Sequence, residues 1–169
     1  FGKSTMLCIN LPLLKAFYDG WPVGLFVPEN FPAEEFYEEL IHTFIGKTTD
    51  KNFPNHRMSK REFDRAKEFV KKYFFLIYLD ENATIDELFK RFDYLVRRHG
   101  IRIAIFDPYN QIEHLYGKNE TIDQYVSRFM SKLKKFTVSR RLCTILIAHQ
   151  NPPDKRAPNG KDYPEPDLY

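Results

Sequence analysis

The chain of 169 residues is long enough for one domain with a substantial core. With 43% hydrophobic and 29% charged residues, it reads as globular, and no apolar run approaches the roughly 18 residues of a membrane span. A net charge of +3 permits a nucleic-acid partner without demanding one, since an ordinary soluble surface carries as much.

The first predicted element is a helix that begins after Gly2 and ends at Asp19-Gly20, with Met6, Leu7, Leu11, Leu14 and Phe17 as its apolar residues and a kink expected at Pro12. Val23-Gly24-Leu25-Phe26-Val27 is a short apolar strand stopped by Pro28. Residues 31–45 read as a helix with an acidic start (Glu34, Glu35, Glu38, Glu39), a stripe of Phe36, Leu40 and Phe44, and Gly46 at its end. Residues 48–58 form a polar loop. Ser59 with Glu62 makes a capping box that opens a helix to about Lys72. Phe74-Phe75-Leu76-Ile77-Tyr78 is a buried strand. Thr84 with Glu87 caps a further helix to about Arg98, with Leu88, Phe92 and Leu95 on one face.

Residues 101–106 form a strand, followed by a loop through Glu120. Residues 122–138 form a helix that buries Val126, Phe129, Met130, Leu133 and Phe136, and residues 143–148 form the last strand. From 150 to 169 the chain is rich in Pro, Asp, Lys and Gly and reads as irregular. Cys8 and Cys143 both sit in apolar stretches and read as reduced core residues of an intracellular, cytoplasmic protein. Alternating helices and continuous apolar strands indicate an α/β fold, a parallel sheet with helices on both faces.

Two motifs stand out. Gly2-Lys3-Ser4-Thr5 matches the end of a phosphate-binding P-loop, G-x-x-x-x-G-K-[ST], whose first glycine would precede Phe1. There, backbone N–H groups at a helix start face an anion, Lys3 reaches the phosphates of ATP, and the Ser4 hydroxyl meets Mg²⁺. The motif alone is short enough to arise by chance, as an unremarkable helix start. The run Ile103-Ala104-Ile105-Phe106-Asp107 ends on an acid, as a Walker B strand does, so Asp107 would hold Mg²⁺ opposite Ser4; a turn former ahead of Pro108 is the plainer reading. Glu29 follows a strand, where a carboxylate can activate water but a helix-preceding Glu is also common. His149 ends the last strand, where it can report a γ-phosphate or serve a structural role. Lys155, Arg156 and Lys161 can contact nucleic-acid phosphates or lie solvated.

Taken together these residues resemble the RecA-like motor of hexameric replicative helicases, of the phage primase–helicase and twinkle type, with DnaB-type helicases more distant. The matching stretches are Gly2-Lys3-Ser4-Thr5, Val23-Gly24-Leu25-Phe26-Val27-Pro28-Glu29-Asn30, Ile105-Phe106-Asp107-Pro108-Tyr109-Asn110 and Ile147-Ala148-His149-Gln150-Asn151-Pro152, in the family's order. The resemblance implies a P-loop NTPase over 1–169 in which Gly2 to Thr5 bind nucleotide, Ser4 and Asp107 hold Mg²⁺, Glu29 is the base and His149 the γ-phosphate sensor. It implies a homo-hexamer threading single-stranded DNA past residues 112–120 and 151–167, with Lys118, Lys155, Arg156 and Lys161 as DNA contacts. Asn151 stands where the phage-type pattern has a basic residue. A primase domain or partner is implied, and no membrane.

The resemblance also implies that the strand feeding the P-loop and the closing strands lie outside these residues. Without the feeding strand, a gap in the sheet, a long unpaired edge and poor ATP hydrolysis by the piece alone are expected. Two other readings remain open: a recombinase- or KaiC-like ATPase that does not unwind, and a nucleotide-binding assembly module that does not hydrolyse.

Overall fold

The computed structural model describes residues 2–29, 32–79 and 83–148. Four strands, β1 (Val23–Phe26), β2 (Phe74–Leu76), β3 (Ile103–Phe106) and β4 (Cys143–Leu146), form one parallel sheet in the order β2-β1-β3-β4. α1 (Leu11–Asp19) precedes β1, and between the strands run α2 (Ala33–Ile45), α3 (Lys60–Tyr73), α4 (Ile85–His99) and α5 (Ile122–Arg140). The α/β expectation therefore holds. The expected gap does not appear: the described strands pair consecutively, and β4 lies at an edge.

Alternation along the strands divides the core in two. Val23 and Leu25 of β1 and Ile103 and Ile105 of β3 pack with α1, α2 and α3. Phe26 of β1 and Ala104 and Phe106 of β3 point the other way, against α4 and α5. Both central strands are buried along their whole length, which explains their uninterrupted apolar sequence. Gly24 faces the α4 side, where an added Cβ would lie 2.9 Å from Ile101 Cδ1 and 3.1 Å from both Leu95 Cδ1 and Phe92 Cε1. Even a methyl there would displace these side-chain ends, so α4 packs close against the backbone.

The capping boxes at Ser59/Glu62 and Thr84/Glu87 form as expected, each with reciprocal backbone and side-chain bonds. A third, Thr121 with Gln124, opens α5. Other sequence-based expectations are refined. Where a kink is expected near Pro12, Thr5–Asn10 winds as a π-helix and α1 begins at Leu11, which places Pro12 in its first turn. Proline has no N–H to give the preceding turn and its ring crowds the carbonyl four residues back; the wider turn relieves both. This winding also resets the buried face, which is Cys8, Ile9, Leu13 and Ala16, while Met6, Leu14 and Phe17 are exposed.

On α5 the buried stripe is Tyr125, Phe129 and Leu133, and Val126 and Met130 face outward. The expected strand 74–78 ends at Leu76, although the Ile77 N–H still donates to the Leu25 carbonyl at 2.7 Å and Ile77 is buried; Tyr78 beyond it is exposed. Cys143 is exposed rather than core, at the first position of the edge strand β4. Cys8 is fully buried as expected.

Candidate active site

In a parallel sheet all strands end on one edge, and that edge is where α/β proteins bind ligands. Here it gathers the ends of β1, β3 and β4. The Asp107 N–H donates to the Phe26 carbonyl at 2.9 Å, fixing the acid beside the end of β1. The Ile147 N–H donates to the Phe106 carbonyl at 2.9 Å, and the Tyr109 N–H to the Ile147 carbonyl at 2.6 Å, so the exits of β3 and β4 are tied together.

The first helix runs back along the sheet. Gly20, at φ 64°, ends α1, and Trp21 and Pro22 lead straight into β1. The start of the helical segment therefore lies at the carboxyl edge. One contact fixes the placement: the Cys8 thiol donates to Asp107 Oδ2 at 3.3 Å, across 99 residues of sequence. Gly2, at φ 86°, opens the segment, Lys3 and Ser4 are helical, and the Met6 N–H donates to the Gly2 carbonyl at 3.0 Å. Lys3 and Thr5 are exposed and Ser4 is half-buried, one turn ahead of Cys8.

Asp107 is the one charged residue of the described core, 5% exposed. Burying a carboxylate is costly unless it is compensated. The Cys8 thiol supplies part of that compensation. Burial, and then the charge and hydrogen bond of Asp107, push the Cys8 thiol far above its usual range, so it stays protonated and remains a donor. Glu29 sits in an exposed turn two residues past buried Val27, at the end of β1. The structure thus brings Gly2 to Thr5, Glu29 and Asp107 to one edge. Lys118 is exposed in the segment that follows β3. His149, Lys155, Arg156 and Lys161 lie outside the described residues.

The donors at this edge suit Mg²⁺. The Ser4 hydroxyl and Asp107 carboxylate are hard oxygens, and Mg²⁺ sites use one or two such groups together with substrate phosphates and water. A buried carboxylate beside a helix start that carries Lys3 fits that arrangement.

No family model matches the chain. A curated relative, the Twinkle homolog protein, chloroplastic/mitochondrial, of Arabidopsis thaliana, is 30% identical over 135 residues, covering 77% of this chain and 19% of the relative. Among solved structures, an isolated ATPase domain superposes with a TM-score of 0.59 at 15% identity, covering 77% of this chain and 47% of that one. A DnaB-like replicative helicase, described with its interactions with primase, gives a TM-score of 0.60 at 16% identity, covering 82% and 36%. The chain shares the RecA-like fold of these ATPase domains. It spans about a fifth of the curated relative and less than half of each solved chain. Among the described residues, Gly2 to Thr5 opens a helix and Glu29 and Asp107 follow strands at the same edge.

Sequence reasoning missed Cys8 as part of this site. A cysteine in an apolar run carries no signal of a polar partner 99 residues away. It also missed the hydrogen bonds that organise the segment after Ile112. No helix among the described residues is long and apolar enough to cross a membrane.

Proposed function

We propose that this chain is the ATP-hydrolysing motor core of a hexameric replicative helicase that translocates on single-stranded DNA. The observation that carries the reading is the Cys8–Asp107 contact, which joins the helix opened by Gly2-Lys3-Ser4-Thr5 to the acid that ends β3. The similarity to the Twinkle homolog and the RecA-like fold support the same class.

In this reading the N–H groups of Gly2 to Thr5 cradle the nucleotide phosphates and Lys3 adds a positive charge. Ser4 and Asp107 hold Mg²⁺, which neutralises charge developing on the transferred phosphoryl group. Glu29 accepts the proton of the attacking water. His149 contacts the γ-phosphate at the exit of β4. ATP lies between subunits of a homo-hexamer. Lys118, Lys155, Arg156 and Lys161 face the DNA, and a primase domain or partner works with the motor.

Nucleotide binding by the full-length protein tests the assignment. Lys3→Ala is expected to weaken Mg²⁺-ATP binding at least tenfold, whereas Asp107→Asn is expected to remove the gain in affinity that Mg²⁺ gives. Equal binding by wild type and both variants would overturn it. Strand displacement on a forked duplex then separates a helicase from an ATPase that does not unwind.

A further inference from the structure

The segment between β3 and α5 is irregular from Glu113 to Glu120, yet it is held at several points. Arg128, in the second turn of α5, reaches back over it. Its Nε donates to Glu120 Oε1 at 2.8 Å, and its Nη2 donates to Glu120 Oε2 at 2.7 Å and to the Leu115 carbonyl at 3.0 Å. Glu120 Oε2 also accepts the Gly117 N–H at 2.7 Å, and the Glu120 N–H returns a bond to the Gly117 carbonyl at 3.0 Å. Asn119 takes the left-handed φ of 67° that this tight turn needs, a conformation asparagine tolerates. At the base of the segment, His114 Nδ1 pairs with the Tyr125 hydroxyl at 2.7 Å.

A bidentate arginine–carboxylate fork with a third bond to backbone is a specific and rigid clamp. What it holds outward is Tyr116, 54% exposed, with its ring 4.6 Å from Tyr125 and tilted by 43°. Two residues on is Lys118, also exposed. Arg128 is committed to Glu120, so Lys118 is the cation this turn offers to a ligand. An exposed aromatic ring supported from behind, with a cation beside it on a pre-ordered turn, is the arrangement on which bases of single-stranded nucleic acid stack. Pre-ordering lowers the entropy lost on binding.

We infer that Tyr116 is a base-stacking platform for single-stranded DNA, held in position by the Arg128–Glu120 clamp, with Lys118 taking an adjacent backbone phosphate. The inference rests on the DNA-motor reading and names a contact with the bases, which lysines alone would not make.

The test compares oligo-dT with an abasic oligonucleotide of equal length and charge, binding to the full-length protein followed by fluorescence anisotropy. Tyr116→Ala is expected to weaken oligo-dT binding by about 5- to 150-fold and to leave abasic binding unchanged. Tyr116→Phe should bind as wild type does. Lys118→Ala should weaken both oligonucleotides and reduce the salt slope by about 0.7, the value for one phosphate of a single strand. Arg128→Gln, which frees the turn, should mimic Tyr116→Ala in part. Unchanged oligo-dT binding by Tyr116→Ala, or an equal loss on both oligonucleotides, would overturn the inference and leave the motor reading standing. Failure of the wild-type protein to bind either oligonucleotide would sink both.

Discussion

Asp107 is held in place by the fold itself. Its backbone is pinned to the end of β1 and its side chain accepts the Cys8 thiol. Removing that donor leaves a buried carboxylate less compensated, so Cys8→Ala is expected to cost about 1–2 kcal/mol in urea unfolding, whereas Cys8→Ser, which keeps a donor, should cost less. Equal losses would mean that packing alone matters at this position. Glu120 offers a second test. The Arg128 guanidinium, then the Gly117 N–H, hold its carboxyl down at about 2, below the usual 4.5. A depressed carboxylate favours the folded state above its unfolded pKa, and that contribution is lost as pH falls from about 4.5 through about 2. An NMR titration should place the Glu120 midpoint near 2 in the wild type and well above it in Arg128→Gln. A midpoint unmoved by the substitution would show that the clamp does not form.

The elements show where local chemistry was decisive and where it was not. Ser59/Glu62 and Thr84/Glu87 were legible because a capping box is complete within four residues. Ser59→Ala should cost about 1 kcal/mol, measurable as a lowered denaturant midpoint. On α5, periodicity could not decide, because apolar residues fall on two stripes. Tyr125, Phe129 and Leu133 meet the sheet, and Ile122, Val126 and Met130 do not. Spacing alone cannot say which stripe the sheet covers. On the first helical segment the list of apolar residues does not by itself give the buried face, because the π-turns before Pro12 rotate it relative to a regular α-helix. Gly24 is an element-scale constraint with a sharp consequence. Gly24→Val forces a side chain into Ile101, Leu95 and Phe92, and is expected to destabilise by about 1–3 kcal/mol or more. A wild-type melting temperature for that variant would contradict the close approach of α4.

For the whole molecule, the continuous apolar runs at 23–27 and 103–106 already implied strands buried on both faces, and so a parallel sheet. Strand order was not legible, because it depends on how crossover helices pack and not on any local signal. Neither was the exposure of Cys143, which follows from its place on an edge strand. The candidate site was visible as motifs, Gly2 to Ser4 and Asp107, since the P-loop pattern sets residue types at fixed spacing. Their juxtaposition is a property of the fold. The proposed motor requires that this edge act as one catalytic unit coupled to DNA. The most direct measurement is ATP hydrolysis by the full-length protein, with and without single-stranded DNA, alongside Glu29→Gln. Turnover that DNA stimulates is expected, with a loss of about 10²-fold or more in the variant and ATP binding retained. ATP binding without turnover in the wild type, or turnover that Glu29→Gln leaves intact, would refute the motor assignment.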